Sequence, residues 1–206
     1  MDSERTREKK KIIIESIDNP YHSSYIPLIH QECNVEYDEY ETRTTSDLAL
    51  HRSHQSCAYI IDQVCRLLPV SCTPSQCWGL HYPPGSTVYR HHHANTDYTF
   101  VYYISVPHNT PLMFDDFFYM PRDRDLVVFS SSLYHEVAPV SHDRYVIAGD
   151  LNIITDNERP RETEAIIPVD PARGERIPWE NLYINTKDLT NGKESVIIEE
   201  DDGYSD

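Results

Sequence analysis

Three consecutive histidines, His91, His92 and His93, follow Tyr89 and Arg90 in the chain. On an extended strand alternate side chains share a face, so His91 and His93 point to one side and His92 to the other. A strand would therefore deliver two imidazoles together. Because imidazole nitrogen binds iron, zinc, copper and nickel, the pair is a candidate for two ligands of a metal ion.

A third candidate ligand, His135, lies 44 residues after His91, soon after the apolar segment 126–129. Ligands of a metal ion inside a small barrel must converge from opposite walls, and a histidine pair on one strand with a partner on a distant strand can do so. Each feature also has a plainer interpretation, since a histidine run can be a solvated patch and a single histidine a structural residue. The combination favours a metal site.

Arg144 follows His135 by nine residues and opens the apolar stretch RYVIAGDLNI. An arginine at the head of an apolar strand needs an anion, and the two-pronged guanidinium matches a carboxylate. The carboxylate of a small acid would meet this need, and so would an ordinary ion pair with Asp143 or Asp123. The residues alone leave both alternatives open.

One helix and a series of short strands must position these residues. Apolar side chains at helical spacing predict an amphipathic helix over residues 45–68, with Thr45 or Ser46 as its N-cap and Pro69 after its end. From residue 76 to 154, β-branched and aromatic residues are interrupted by Pro, Gly, Asn and Asp, which predicts strands and turns. The predicted strands cover residues 78–82, 88–93, 99–106, 112–114, 126–129, 136–140 and 145–153. This pattern indicates a mainly β fold with flanking helices, either a β-sandwich or an open barrel.

Composition narrows the class of protein. The 206 residues include 34 acidic and 18 basic side chains, a formal net charge of −16, which disfavours binding to a phosphate backbone, so no nucleic acid partner is expected. The longest aliphatic run near the amino end, residues 12–14, is too short for a membrane span or a signal peptide, so we expect a cytoplasmic protein without a membrane partner. The odd number of cysteines, five, and the absence of a C-x-x-C pair predict reduced thiols.

Three segments are expected along the chain: a lead-in over residues 1–20, a single β-rich domain over 21–154 and an acidic extension over 155–206. The extension holds 14 acidic and 6 basic residues and several prolines. This composition predicts that much of it is extended or disordered.

An ordered series of motifs resembles the iron(II)- and 2-oxoglutarate-dependent oxygenases, in particular their prolyl-hydroxylase branch, over about residues 78–153. HYPPGSTVYRHHH at 81–93 resembles the tyrosine-proline, glycine-rich turn that leads into Arg-His-x-Asp. VYYI at 101–104 and RDLVVF at 124–129 resemble two strands of that family. HEVAPVSHDRYVI at 135–147 is similar to the family's His-Glu-Val-x-Pro, four residues, Arg-Tyr-x-Ile.

The resemblance implies a double-stranded β-helix, the jelly-roll or cupin-like barrel, and a dioxygenase reaction. In that reaction O2 and 2-oxoglutarate are consumed, an unactivated carbon is hydroxylated, and succinate and CO2 are released. The implied substrate is a prolyl residue in a protein or peptide. Ascorbate is a candidate supporting reductant. The acidic surface further predicts that basic residues beside the proline assist binding.

The resemblance also assigns roles to residues. Fe(II) would be held by His91, His93 and His135. Arg144 would bind the distal carboxylate of 2-oxoglutarate, with two hydroxyl partners, Tyr82 and Tyr103.

His93 stands where the family has an aspartate, which leaves the metal site one negative charge poorer. Three outcomes are open: a site of three histidines that works, a carboxylate supplied by Asp97 four residues later, or a site that binds metal without hydroxylating. Spacing favours His93, since Asp97 falls where the strand pair should turn. A second departure is Ala148, where prolyl hydroxylases usually have a hydroxyl side chain.

Two other readings use the same residues. A cupin would pair His91 and His93 with Asp97 in place of the cupin glutamate and would be a metal-dependent enzyme or sensor, although Ser130 and Ser132 depart from its distal motif. A catalytically inactive binding module would recruit a basic partner through the acidic extension. Residues 107–125 are either a substrate wall or a strand pair of the barrel; their apolar side chains are Phe114, Phe117, Phe118, Tyr119 and Met120.

Overall fold

A computed structural model describes residues 11–33, 42–107, 110–155 and 196–199 of the chain. The strands are β1 (Lys11–Ser16), β2 (Arg43–Thr44), β3 (Cys72–Tyr82), β4 (Val88–His91), β5 (Tyr98–Ser105), β6 (Leu112–Phe114), β7 (Phe118–Tyr119), β8 (Asp125–Ser130), β9 (His135–Val137), β10 (Arg144–Ile153) and β11 (Val196–Glu199). The helices are α1 (Tyr25–Glu32), α2 (Leu50–Ser53) and α3 (Gln55–Leu67), with a short 3-10 helix at His22–Ser24.

The strands form two antiparallel sheets. The larger sheet has the order β11-β1-β8-β5-β10-β3-β2, and the smaller has the order β4-β9-β6-β7. Apolar side chains from both sheets, among them Leu112 and Val137 of the smaller and Val101 and Val146 of the larger, share one buried cluster, so the sheets pack face to face. The predicted mainly β fold with flanking helices is confirmed.

Strand β10 lies inside the larger sheet between β5 and β3, and the period of two along it sorts its side chains. Ile147 packs in the core on the helix side. Arg144, Val146, Ala148 and Asp150 line a cavity on the face that looks toward the smaller sheet. Every second side chain of β10 from Arg144 to Asp150 therefore reaches the cavity.

The helices cover the other face of the larger sheet. Helix α3 buries Ile60 and Val64 completely there, and α1 buries Ile29. Each such burial contributes about 1.5–3 kcal/mol relative to exposure. Gly79 in β3 permits the close approach of α1, since a Cβ atom at this position would lie 2.6 Å from Cγ1 of Ile29.

The single helix predicted over residues 45–68 is wrong in residues 45–49 and is interrupted after Ser53. Residues 43–44 pair with β3, and the amide of Thr45 donates to the carbonyl of Gly79, so the chain here belongs to the sheet edge. Asp47 lies just before α2, and its Oδ1 atom accepts a hydrogen bond from the amide of Ala49 at 2.7 Å. The extended backbone of His54, with φ −127° and ψ 118°, then separates α2 from α3.

The seven predicted strands are all present: Leu112–Phe114 has the predicted ends, and the ends of the other six are shifted. The first begins at Cys72 rather than at residue 78, the second ends at His91 rather than at 93, and the sixth is His135–Val137. Strand β1 lies in the predicted lead-in, and β11, within the predicted acidic extension, pairs with it. The rest of that extension lies outside the described residues. In the described ranges no helix has the length and apolar character needed to cross a membrane.

Candidate active site

Three imidazoles meet where β4 and β9 pair. His91 lies opposite His135 in the register of these strands, and His93 follows just after β4, where its amide donates to the carbonyl of Ser131 at 3.0 Å. The ring centroids are 4.3 Å apart for His91 and His135, and 5.3 Å apart for His93 and each of the others. One nitrogen from each ring lies within 4.8 Å of the other two.

The hydrogen bonds of these rings leave the same nitrogen free in each. Nδ1 of His91 is 2.8 Å from the carbonyl oxygen of Tyr89, and Nδ1 of His135 is 3.1 Å from that of Leu133. A carbonyl oxygen accepts only, so both Nδ1 atoms carry the proton and both Nε2 atoms keep a lone pair. A metal ligand needs this tautomer, with its other nitrogen donating to a carbonyl or carboxylate.

Burial keeps two of the rings neutral. It lowers the pKa of His135 to about 3, with the neighbouring His91 ring contributing in the same direction. Burial also lowers the pKa of His91. A neutral imidazole is the form that binds metal, so this donor set fits a divalent cation such as Fe(II) at neutral pH.

The third ring, His93, has a carboxylate partner. Its Nδ1 lies 2.8 Å from Oδ1 and 3.0 Å from Oδ2 of Asp150. Trp78 stacks against its face, with the ring planes 16° apart. Because the carboxylate accepts a hydrogen bond from Nδ1–H, the Nε2 atom of His93 is also available to a metal.

A cavity of about 410 Å³ joins the histidines to Arg144. Arg144 is 1% exposed, and its Nε and Nη1 atoms have no hydrogen-bond partner in the described part of the chain. Its guanidinium carbon lies 5.2 Å from the ring centre of Tyr82 and 5.3 Å from that of Tyr103. A buried guanidinium without an anion is costly, and among the described residues no carboxylate meets this one, so the geometry suits an anionic ligand.

Both predicted hydroxyl partners are close to Arg144. Tyr103 is completely buried, and its hydroxyl oxygen has no hydrogen-bond partner among the described residues. Burial raises the pKa of Tyr103 and the guanidinium of Arg144 opposes this, so the phenol stays protonated and can donate. Tyr82 is 4% exposed and lines the same cavity.

The two carboxylates that the sequence offered as partners of Arg144, Asp143 and Asp123, are engaged elsewhere. Oδ1 of Asp143 is 2.7 Å from Nε2 of His81, and Oδ1 of Asp123 accepts from the amide of Val106 at 2.9 Å. Asp97 also lies away from the histidines, since its Oδ2 accepts from the amide of Ile153 at the far end of β10. The geometry therefore brings together His91, His93 and His135 and leaves Asp97 outside.

Asp150 and Trp78 were missed from the sequence. The signal for Asp150 is its spacing, because it lies three alternate positions beyond Arg144 on the same strand and interrupts an apolar run. Its contact with His93 joins residues 57 apart, so no local pattern shows it. The apolar segment at residues 107–125 contains the strand pair β6–β7, with Phe118 63% exposed and Phe114 packed against Phe129.

No family model and no curated protein matches the chain. Its structure is similar to that of the viral collagen prolyl hydroxylase vCPH from Paramecium Bursaria Chlorella virus-1 in its 2-oxoglutarate complex, with a TM-score of 0.57, 12% identity, and coverage of 70% of this chain and 96% of that chain. HygX from Streptomyces hygroscopicus with nickel and 2-oxoglutarate bound has a TM-score of 0.55, 12% identity, and coverage of 74% and 90%.

A third similar structure is a prolyl hydroxylase from Trichoplax adhaerens in complex with a peptide fragment of the hypoxia inducible factor oxygen degradation domain. Its TM-score is 0.52, with 18% identity and coverage of 74% of this chain and 87% of that chain. The predicted double-stranded β-helix is thereby confirmed. The chain has the fold of the 2-oxoglutarate- and iron(II)-dependent oxygenases, prolyl hydroxylases among them.

Proposed function

We propose that this protein is an iron(II)- and 2-oxoglutarate-dependent dioxygenase that hydroxylates a prolyl residue in a protein or peptide. The observation that carries the proposal is a single cavity lined by three metal-competent imidazoles and by a buried guanidinium that no carboxylate of the described residues pairs with. The first is a ligand set for Fe(II), and the second is a receptor for a carboxylate.

The residues divide the work of such a reaction. His91, His93 and His135 would hold Fe(II), which supplies the redox chemistry that activates O2 when bound. Arg144 would bind the distal carboxylate of 2-oxoglutarate. Tyr103 would donate a hydrogen bond from its phenol group to the same carboxylate, and Tyr82 would lie beside it. This arrangement fixes the orientation of the keto acid before reaction.

Apolar side chains form part of the cavity wall. Leu80, Val101 and Val146 line it together with Ala148, which offers no hydroxyl group. The overall reaction balances: one atom of O2 enters succinate, the other forms the new hydroxyl group, and 2-oxoglutarate loses a carboxyl group as CO2.

A peptidyl proline is the proposed substrate. Two of the similar structures are named as prolyl hydroxylases, and one of them holds a peptide. The formal net charge of −16 supports basic residues next to the proline. Peptides with Lys or Arg beside proline should therefore bind less tightly as salt is added, and affinity indifferent to salt would count against this preference.

The three-histidine ligand set also favours a second candidate, a protein that binds metal without hydroxylating. Such a site has one negative charge fewer than the usual two histidines and one carboxylate. A cupin-type metal site on the same barrel is a related case, which would bind metal and ignore 2-oxoglutarate. The free thiols of all five cysteines suit the cytoplasmic location that we infer for either protein.

The test is succinate formation by the purified full chain with Fe(II), ascorbate and 2-oxoglutarate, without substrate and then with proline-containing peptides. We expect slow succinate release alone, faster release with a substrate peptide, and gain of one oxygen atom by the peptide. Arg144→Ala should abolish succinate release and the gain of oxygen by the peptide. Arg66→Ala, which removes an exposed arginine paired with Asp62 on α3, is the matched control and should change neither.

The outcomes separate the candidates. Metal binding with a 2-oxoglutarate-dependent rise in thermal stability but no succinate identifies an inactive oxygenase fold. Metal binding without any response to 2-oxoglutarate identifies a cupin-type site. Absence of metal binding overturns the proposal.

A further inference from the structure

We propose that Asp150 is a positioning residue of the metal site, which fixes His93 and supplies through its ring the negative charge that a carboxylate ligand would otherwise bring. This inference rests on the proposed function. The family that the sequence resembles has an aspartate at the position of His93. In this structure the carboxylate belongs to Asp150 and lies behind the His93 ring, on the side of Nδ1.

The contact between the two side chains is close and buried. Both carboxylate oxygens of Asp150 lie within 3.0 Å of Nδ1 of His93, and Asp150 is 4% exposed. The two other histidines donate instead to neutral carbonyl groups, those of Tyr89 and Leu133. Among the three rings, His93 therefore has the strongest hydrogen-bond acceptor, a charged one, behind its metal-facing nitrogen.

A chain of hydroxyl groups holds the carboxylate in place. Oγ1 of Thr99 donates to Oδ1 of Asp150 at 2.8 Å. Since Thr99 has one hydroxyl proton, it accepts from Ser131 at 3.0 Å, and Ser131 in turn accepts from Thr96 at 2.7 Å. Every proton in this chain points toward Asp150, so the carboxylate is stabilised as an acceptor for His93.

The backbone also fixes Asp150. It lies in β10 between β3 and β5, opposite Gln76 and Thr99, at the point where the register between β10 and β3 shifts. Its side chain cannot reach solvent from this position. His93, by contrast, follows the end of β4, so its ring orientation depends on the Asp150 carboxylate and on the stacked Trp78.

Packing alone does not account for this carboxylate. In the described ranges Asp150 forms an ion pair with no Lys or Arg, and the ring that faces its carboxylate is that of His93. A buried anion with one imidazole and one hydroxyl is poorly compensated. A divalent cation on the far nitrogen of His93 would compensate it.

The experiment measures Co(II) affinity of the metal-free full chain by isothermal titration calorimetry at about neutral pH. Asp150→Asn keeps the shape and removes the charge, and we expect about 10–100-fold weaker binding, the usual effect of losing a carboxylate behind a ligating histidine. Thr99→Val, which removes the donor that fixes the carboxylate, should weaken binding in the same direction by a smaller factor. The visible absorption bands of bound Co(II) should shift in Asp150→Asn, because the donor strength of one ligand changes.

The matched control is Asp125→Asn. Asp125 is also a buried aspartate, 5% exposed; its carboxylate accepts from Tyr119 and from the amide of Arg122, and it is not one of the residues that line the cavity. Its Co(II) affinity should equal that of the wild type.

A double-mutant cycle tests the route of the effect. If Asp150 acts through His93, then His93→Ala and the double variant His93→Ala/Asp150→Asn bind Co(II) equally. Equal affinity of the wild type and Asp150→Asn overturns this inference and leaves the proposed function intact. A further loss from Asp150→Asn in the His93→Ala background also overturns it. A wild type that binds no Co(II) overturns both.

Discussion

His91 and His135 lie opposite each other in neighbouring antiparallel strands, with ring centroids 4.3 Å apart. Each donates its Nδ1 proton to the carbonyl of the residue two positions earlier, which leaves two Nε2 lone pairs side by side. Two neutral lone pairs gain nothing from each other. A metal ion is the partner that would bind both, and the following predictions start from that geometry.

Removing one imidazole should remove metal-dependent stabilisation. Wild-type protein should gain about 2.7 kcal/mol of unfolding free energy when Ni(II) is present at about one hundred times its dissociation constant. His135→Gln should gain little or none, because two ligands remain. His142→Ala, a change at an exposed histidine bonded to Ser141, is the control and should respond like the wild type. A full Ni(II) response in His135→Gln would contradict the assigned site.

The metal-free protein should lose stability in acid through His135. Its pKa in the folded state is about 3, and in the unfolded chain it is about 6.5, so the unfolded state binds the proton first. Stability is therefore complete above about pH 6.5 and falls as the pH drops toward 3, by at most about 1.4 kcal/mol per pH unit from this group. Burial of His91 adds to the effect in the same direction.

The measurement is urea denaturation in the presence of a chelator between about pH 8 and about pH 5. His135→Asn should show a shallower loss of stability than the wild type, because its side chain does not titrate. Parallel curves for the two proteins would show that His135 is not held neutral by burial.

Arg144 should be necessary for 2-oxoglutarate and unnecessary for folding. Its Nε and Nη1 atoms are buried without partners among the described residues, so Arg144→Leu removes a poorly compensated charge and should leave the metal-free protein at least as stable as the wild type. The variant should lose the rise in melting temperature that 2-oxoglutarate gives the metal-loaded protein. A large drop in stability, with the 2-oxoglutarate response retained, would assign Arg144 a structural role.

Gly149 should tolerate no side chain. A Cβ atom there would lie 2.5 Å from the backbone oxygen of Gln76 and 2.5 Å from Cε1 of Phe100. Gly149→Ala should therefore destabilise the protein by about 1–3 kcal/mol, measured by chemical denaturation. Metal affinity should fall too, since the displaced strand carries Asp150. An unchanged midpoint would mean that β10 relaxes without cost.

The strands were predictable because β-branched and aromatic residues interrupted by Pro, Gly, Asn and Asp are typical of short strands and turns. All seven predicted strands were found, six of them with shifted ends. The helix was less predictable. Residues 43–49 have a sequence compatible with a helix start, but Thr45 and Leu48 bond to β3 through Gly79 and Cys77. These contacts span about thirty residues or more, and local propensity yields to such pairing.

The residue types at the candidate site were predictable, and their arrangement was not. The spacing of the histidines and the position of Arg144 pointed to four candidate side chains. All four line one cavity in the structure. Asp97 and Asp150 could not be ranked from the chain, since both are aspartates near a strand of the barrel. The fold decided between them by placing Asp150 behind His93 and Asp97 at the end of β10.

The amino-acid sequence by itself determined which groups are available: imidazoles at alternate positions, a distant third imidazole, and an arginine that opens an apolar strand. Spacing along one strand is local, so these features can be read from the chain. The tertiary structure decided which of these groups lie together. It also decided that Asp143 and Asp123 bond to other residues and not to Arg144. Those outcomes depend on the pairing of β4 with β9 and of β10 with β3, contacts between residues far apart in sequence, and on the burial that removes water from them.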